Sequence, residues 1–352
     1  MLSLFDPLKL GDLWLPNRVI MAPLTRCRAS AGNIPNLLMA KYYAQRASAG
    51  LIISEATVVS SQGIGYPNTP GIWSTAQIDG WKLITKAVHA SGGRIFLQLW
   101  HVGRVSHPLY LNGELPVAPS AIAPSGHVNL IRPETSYVAP RELQREEIPE
   151  IIATFRQAAE NAQAAGFDGI EIHGANGYLL DQFLQDSTNC RSDDYGGSLA
   201  NRARLMLEIV DAAISVWGAN RVGLHISPRC DKNDMGDSNP QITFSYVAQE
   251  AKRRGIAFIF SREYLAADSL GAHLKNEFGG VYIANENFVQ ESAEKIVAQG
   301  NADAVAFGRL YLANPDFPRR MVLNAELNQP NPALFFHGGG AEGYTDYPAL
   351  PF

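Results

Sequence analysis

The stretch Phe167-Asp-Gly-Ile-Glu-Ile-His-Gly-Ala-Asn-Gly-Tyr178 decides how the chain is read. Phe167, Ile170 and Ile172 form an apolar run that reads as a buried strand, so the polar side chains of His173, Asn176 and Tyr178 leave that strand at its C-terminal end. Barrel enzymes place their chemistry at such exits. His173 and Asn176 can both aim N–H donors at one substrate oxygen, and Tyr178 carries a proton that can be given to a nearby carbon or oxygen. A lone histidine at a strand end is more often a hydrogen-bonded structural residue than a catalyst. The functional reading therefore depends on whether the other strand ends agree with this one.

Outward from that stretch the chain repeats one pattern. Upstream, Arg18–Ala22, Gly50–Glu55 and Arg94–Trp100 read as strands, separated by helices over residues 37–49 and 75–90. An amphipathic helix over 147–165 leads into the strand 168–173. Downstream, strands are expected over 221–226, 256–260, 280–284 and 302–307, with helices over 201–217, 244–254 and 288–299, the last opened by an Asn287/Gln290 capping box. Eight short apolar runs, each separated by a helical stretch, indicate parallel strands and, at 352 residues, an α/β (β/α)8 TIM barrel formed by residues 1–352 as one domain. The alternating segment 8–15 about Gly11-Asp12 reads as a hairpin capping one end, and the proline-rich, aperiodic segment 101–145 after the third strand reads as a lid or binding loop. An open doubly wound sheet is the alternative fold, but no G-x-G-x-x-G follows a first strand to support it.

Composition narrows the partners. A net charge of −5 without a basic stripe argues against nucleic acid or a polybasic membrane surface, and a small-molecule partner is expected. No apolar run has the length of a membrane span and the N-terminal residues do not read as a leader, so a cytoplasmic protein is expected. Three widely spaced cysteines, Cys27, Cys190 and Cys230, indicate neither a disulfide framework nor a metal site.

The expected strand exits share one chemistry. In order they are Thr25, Ala56, Gln98 with Trp100 and His101, the His173 set, His225, Arg262, the residues 285–287, and Gly308-Arg309. Amide and hydroxyl donors sit opposite two late loops suited to a phosphate, which is the layout expected for a flat phosphorylated cofactor.

Together these residues carry a family resemblance over essentially the whole chain. The motifs are Asn17-Arg-Val-Ile-Met-Ala-Pro-Leu-Thr-Arg26, Gln98-Leu-Trp-His-Val-Gly-Arg104, His173-Gly-Ala-Asn-Gly-Tyr178, Tyr195-Gly-Gly-Ser198, Phe307-Gly-Arg309, Ala313-Asn-Pro-Asp316 and Gly340-Ala-Glu-Gly-Tyr344. The chain resembles the Old Yellow Enzyme family of flavin-dependent ene-reductases, in the branch of pentaerythritol tetranitrate and N-ethylmaleimide reductases. That resemblance implies non-covalent FMN, NADPH or NADH as reductant, and substrates such as enones, maleimides and nitroalkenes. It implies a flavin site of Pro23, Leu24, Thr25, Ala56, Gln98, His173, His225, Asn285, Asn287, Gly308 and Arg309. His173 and Asn176 would bind the substrate oxygen, Tyr178 would donate the proton, and Tyr66, Trp100 and Tyr344 would form aromatic walls. No metal is implied, and a monomer or homodimer is expected.

Three features depart from the family pattern or stand outside it. His225 occupies a position where the family usually has an arginine facing the flavin pyrimidine edge, so a lower flavin potential, weaker FMN binding or compensation by a neighbour such as Arg262 is expected. The loop after the seventh strand reads Asn285-Glu-Asn-Phe288 where the family is glycine-rich, and Glu286 must turn its carboxylate away from a phosphate. Cys27, two residues past Thr25, is expected to be structural. The competing readings are a flavin-binding barrel with little turnover, for which the His225 substitution is the motive, and a flavin-free barrel lyase or hydrolase, for which no acidic pair or Ser-His arrangement speaks.

Overall fold

A computed structural model describes residues 2–336 and 339–351. Its centre is a closed barrel of eight parallel strands: β1 (Val19–Met21), β2 (Leu51–Ile53), β3 (Ile95–Trp100), β4 (Gly169–His173), β5 (Val222–Ile226), β6 (Phe258–Arg262), β7 (Val281–Asn285) and β8 (Ala304–Phe307). Each pairs with its neighbour in chain order, and β8 returns to β1. This is the expected (β/α)8 barrel. Helices α1 (Leu37–Ala44), α2 (Thr75–Ala90), α3 (Ile148–Ala164), α4 (Leu199–Trp217), α5 (Pro240–Arg254), α6 (Gly271–Phe278) and α7 (Gln290–Ala298) link the strands, and the short helices Arg309–Ala313 and Phe317–Leu323 follow β8.

Local chemistry starts these helices. Ser74 accepts from Gln77 N–H while the Gln77 side chain accepts from Ser74 N–H, a reciprocal box opening α2. Asn239 caps α5 ahead of Pro240, whose missing N–H costs nothing in the first turn. The box expected at Asn287 and Gln290 does not form. Asn287 lies in the preceding loop with φ +57°, and α7 starts at Gln290 with Ser292 Oγ accepting from Val289 N–H at 3.1 Å.

Side chains alternate strictly along the strands. Inward-facing Ile20, Leu51, Ile53, Phe96, Phe258, Phe260, Ile283, Ala304 and Ala306 fill the lower barrel, and the hairpin residues Leu8, Leu10 and Leu15 pack on the same cluster, closing that end. Large and small residues complement one another: a Cβ at Gly169 would lie 2.3 Å from Phe96 Cζ, and one at Gly223 2.1 Å from Phe258 Cζ. Two positions further along the same faces the apolar filling stops. Gln98, Glu171 and His225 form a polar layer, so Gln98 and His225 lie within their strands rather than past the ends. β6 runs two residues later than its apolar pattern suggests, which makes Arg262 its last residue. Among the described residues no helix is long and apolar enough to cross a membrane.

Candidate active site

Above the polar layer, at the C-terminal ends of the strands, lies a cavity of about 780 Å³. Pro23, Leu24 and Thr25 after β1, His225 on β5, Arg262 on β6, Asn285 at the end of β7 with Glu286 and Asn287 after it, and Gly308-Arg309 after β8 line it. Tyr66, Asn176 and Tyr178 close another side. The chain thus brings together residues far apart in sequence, through the register of the barrel and the loops that follow its strands.

The polar layer fixes the state of His225. Gln98 Nε2 lies 2.6 Å from Glu171 Oε2 and 3.0 Å from His225 Nδ1, so Nδ1 accepts and the hydrogen resides on Nε2. Burial, with His173 and Arg262 adding to it, holds the imidazole well below its usual pKa and therefore neutral. Burial also raises the Glu171 carboxyl to about 8, against the opposing Gln98 hydrogen bond, so at neutral pH it is largely protonated. His225 Nε2 is buried without a partner, an expense that a polar acceptor in the cavity would remove.

His173 repeats the arrangement beside it. The two imidazoles stack with centroids 5.0 Å apart and planes inclined by 19°. His173 Nδ1 accepts from Ala175 N–H at 3.4 Å, which places its hydrogen on Nε2, and burial, with Arg262 adding to it, pulls the pKa down to about 3. Both rings are neutral with the hydrogen on Nε2; His225 lines the cavity, and His173 stacks directly against it without being among the lining residues. Asn176 stands next to them in a left-handed conformation (φ +58°), its N–H donating to Ser227 Oγ at 2.7 Å.

Tyr178 is held by a chain of hydroxyls. Its Oη is 2.9 Å from Tyr66 Oη, and Asn129 Nδ2 donates to both Tyr66 Oη (2.9 Å) and Tyr137 Oη (3.0 Å). Because Asn129 already donates to Tyr66, Tyr66 is favoured as donor to Tyr178, leaving the Tyr178 hydrogen for the cavity. Burial raises the Tyr178 pKa to about 12, so the hydroxyl is protonated at neutral pH. Asn129 lies in the aperiodic segment after β3, where no local pattern marks it.

Other expected residues fall behind the cavity. Trp100 is fully buried against Tyr66, Tyr178 and His173. Ala56 packs with Trp100 in the same small cluster. Tyr344 is not brought to the cavity: its ring stacks on Tyr42 at 4.1 Å, with the Arg26 guanidinium 5.0 Å and that of Arg28 5.3 Å from its centroid. It is core filling beneath the β1 loop. Cys27 is buried there as well, its thiol pushed up to about 12 by burial and then by Glu55, a protonated and unreactive state.

The cavity suits a flat phosphorylated cofactor. His225 Nε2–H and the Thr25 loop offer donors at its floor and edge, and Arg309 at the far end forms no ion pair among the described residues. Glu286 pairs with Arg262 at 2.7 Å, and both line the cavity. No group of three or more His, Cys, Asp or Glu among the described residues is placed to hold a metal.

Known proteins share this architecture and sequence. A family model described as the NADH:flavin oxidoreductase / NADH oxidase family matches residues 3–328. 12-Oxophytodienoate reductase 1 of Oryza sativa subsp. japonica is 46% identical over 365 residues, spanning 99% of this chain and 93% of that protein. The structure of morphinone reductase in complex with tetrahydroNAD superposes with a TM-score of 0.95 at 47% identity, covering 100% of this chain and 98% of the other. The old yellow enzyme homologue from Zymomonas mobilis gives 0.96 at 41% identity, covering 99% and 100%.

Proposed function

The chain belongs to the NADH:flavin oxidoreductase / NADH oxidase family as an FMN-dependent ene-reductase type of enzyme, and on that premise we propose that it reduces the activated C=C bond of α,β-unsaturated carbonyls, maleimides and nitroalkenes, with Tyr178 as proton donor. One observation carries this reading: the neutral His225 imidazole and the Asn176 amide line the same cavity as the Tyr178 hydroxyl, with the neutral His173 ring stacked on His225 and edge-on to Tyr178.

When bound, FMN supplies hydride taken from the nicotinamide. Pro23, Leu24, Thr25, Gln98 and His225 would hold its ring, with Ala56 supporting that wall from behind, and Asn285, Asn287, Gly308 and Arg309 would hold its phosphate end. His173 Nε2–H and Asn176 Nδ2–H bind the carbonyl or nitro oxygen of the substrate. As charge grows on that oxygen, two fixed donors in a dry site stabilise it without reorganising. Tyr178 then gives its proton to the α-carbon, and its weak acidity matches a strongly basic carbanion. Tyr66 and Trp100 hold the Tyr178 ring in place.

The direct test is the visible spectrum of the purified protein, followed by anaerobic mixing with NADPH or NADH and then 2-cyclohexenone. A flavin band that bleaches with the nicotinamide and returns with the enone is expected. Absence of a band that added FMN cannot restore would remove the reading, and bleaching without enone-dependent return would mark a flavin protein without this turnover.

His225 makes a separate prediction. A neutral imidazole stabilises negative charge on a reduced flavin less than a cation would, so His225→Arg is expected to raise the FMN midpoint potential. Each ~30 mV corresponds to tenfold in the two-electron equilibrium, and a shift of that order is expected in spectroelectrochemical titration; an unchanged or lower potential counts against His225 facing the flavin.

A further inference from the structure

Arg262 lines the cavity but has no part in the chemistry above. It ends β6 and reaches in two directions: Nη1 donates to Asn176 Oδ1 at 2.9 Å, and Nη2 to Glu286 Oε1 at 2.7 Å. We propose that Arg262 is a positioning residue serving both ends of the site, fixing the Asn176 amide with Nδ2 toward the substrate and holding the Glu286 carboxylate away from the cofactor phosphate. The inference rests on the reading that Asn176 binds the substrate oxygen and that the loops after β7 and β8 bind phosphate.

The amide orientation follows from donor chemistry. A guanidinium carries donors and no acceptor, so only the oxygen end of Asn176 can face it. The other end, Nδ2, makes no hydrogen bond among the described residues and adjoins the cavity. The Asn176 backbone is already pinned, its N–H on Ser227 Oγ and its carbonyl accepting from Asn233 Nδ2 at 2.9 Å. Rotation of the amide plane is the freedom left to it, and Arg262 removes that freedom. A hydrogen bond from a charged donor to Oδ1 also polarises the amide, which makes Nδ2–H a better donor to a substrate oxygen.

The second contact answers the presence of a carboxylate where phosphate is expected. Glu286 sits between Asn285 and Asn287, and all three line the cavity. An unpaired carboxylate there would repel a phosphate dianion. Burial alone would lower the Arg262 pKa, but the Glu286 partnership carries it above its usual value, so the guanidinium remains charged. Removing it frees the amide and the carboxylate together, and only the second defect can be repaired by neutralising Glu286.

The experiment measures two affinities in four proteins. FMN binding is read from quenching of flavin fluorescence by the apoprotein. Phenol binding is read from the perturbed flavin spectrum of the FMN-saturated protein. Arg262→Met is expected to weaken both by about tenfold, the size of one charge-assisted contact. Adding Glu286→Gln to Arg262→Met is expected to restore FMN affinity to near the wild-type value while phenol binding stays about tenfold weak. Arg262→Lys, which keeps the charge but not the planar fork, is expected to retain FMN and lose phenol affinity, and it serves if the Met variant does not fold. Unchanged phenol affinity in Arg262→Met, or in Arg262→Lys where that variant stands in, overturns the Asn176 role. Failure of Glu286→Gln to restore FMN affinity overturns the Glu286 role. If the wild-type protein binds neither FMN nor phenol, the underlying reading of the site fails instead.

Discussion

His173→Ala is expected to slow alkene reduction by about 10²–10³, the range seen when one donor to a developing oxyanion is removed. The same change should weaken binding of a phenol to the flavin-loaded protein by about tenfold to a hundredfold, since a hydrogen bond to a charged oxygen contributes ~1.5–3 kcal/mol. The imidazole is placed for this by three constraints. Its Nδ1 is occupied by Ala175 N–H, its ring is stacked against His225 and flanked edge-on by Tyr178, and burial keeps it neutral. Alanine removes the donor without introducing charge. Reduction of the flavin by the nicotinamide does not require stabilising charge on an alkene-derived oxygen, so it should change far less. Rapid-mixing measurement of the two half-reactions separates these effects. If both slow equally, His173 supports the flavin or the nicotinamide rather than the substrate oxygen. The pH dependence should also be informative: with its pKa pulled down to about 3, His173 loses no proton between pH 5 and pH 8, and any rate change in that window must come from another group.

The barrel itself was legible because each core strand is a short apolar run followed by a helical stretch, and this pattern needs no knowledge of tertiary contacts. Its details were not. The apolar pair Ile256-Ala257 draws the sixth strand two residues too early, while Ser261 and Arg262 are strand residues whose polarity reflects an outer cleft and the inner cavity. Asn287 carries a good capping side chain, yet its left-handed backbone takes it out of the helix start. At the site, the His173–Tyr178 motif announced itself through its place at a strand end. Glu171 was visible as a carboxyl inside an apolar strand, but its meaning required the register that sets Gln98 opposite it and His225 nearby. Tyr344 belongs to a motif, and only long-range packing against Tyr42 and Arg26 shows that its ring lies in the core. Asn129 and the double contact of Arg262 depend on loop geometry that no periodicity records.

Tyr178→Phe is expected to slow enone reduction by about 10²–10⁴, the usual contribution of a positioned general acid. The loss should depend on the substrate. An enone accepts hydride and leaves a strongly basic carbon that must be protonated before product forms, and the Tyr178 hydroxyl lines the cavity with Tyr66, itself accepting from Asn129, favoured as its donor. A nitroalkene yields a nitronate, which is stable enough to leave and be protonated by water. Nitroalkene consumption by the variant should therefore persist, with nitronate accumulating transiently in the ultraviolet spectrum. The fold should tolerate the change, because the ring contacts with Trp100 and His173 are kept and only the hydroxyl is lost. Tyr66 then loses its partner but keeps Asn129, so it cannot simply replace the missing acid at the same position. Equal loss on the enone and the nitroalkene would count against Tyr178 as the proton donor and place its role in binding, since a binding defect does not distinguish a carbanion that needs a proton from one that does not.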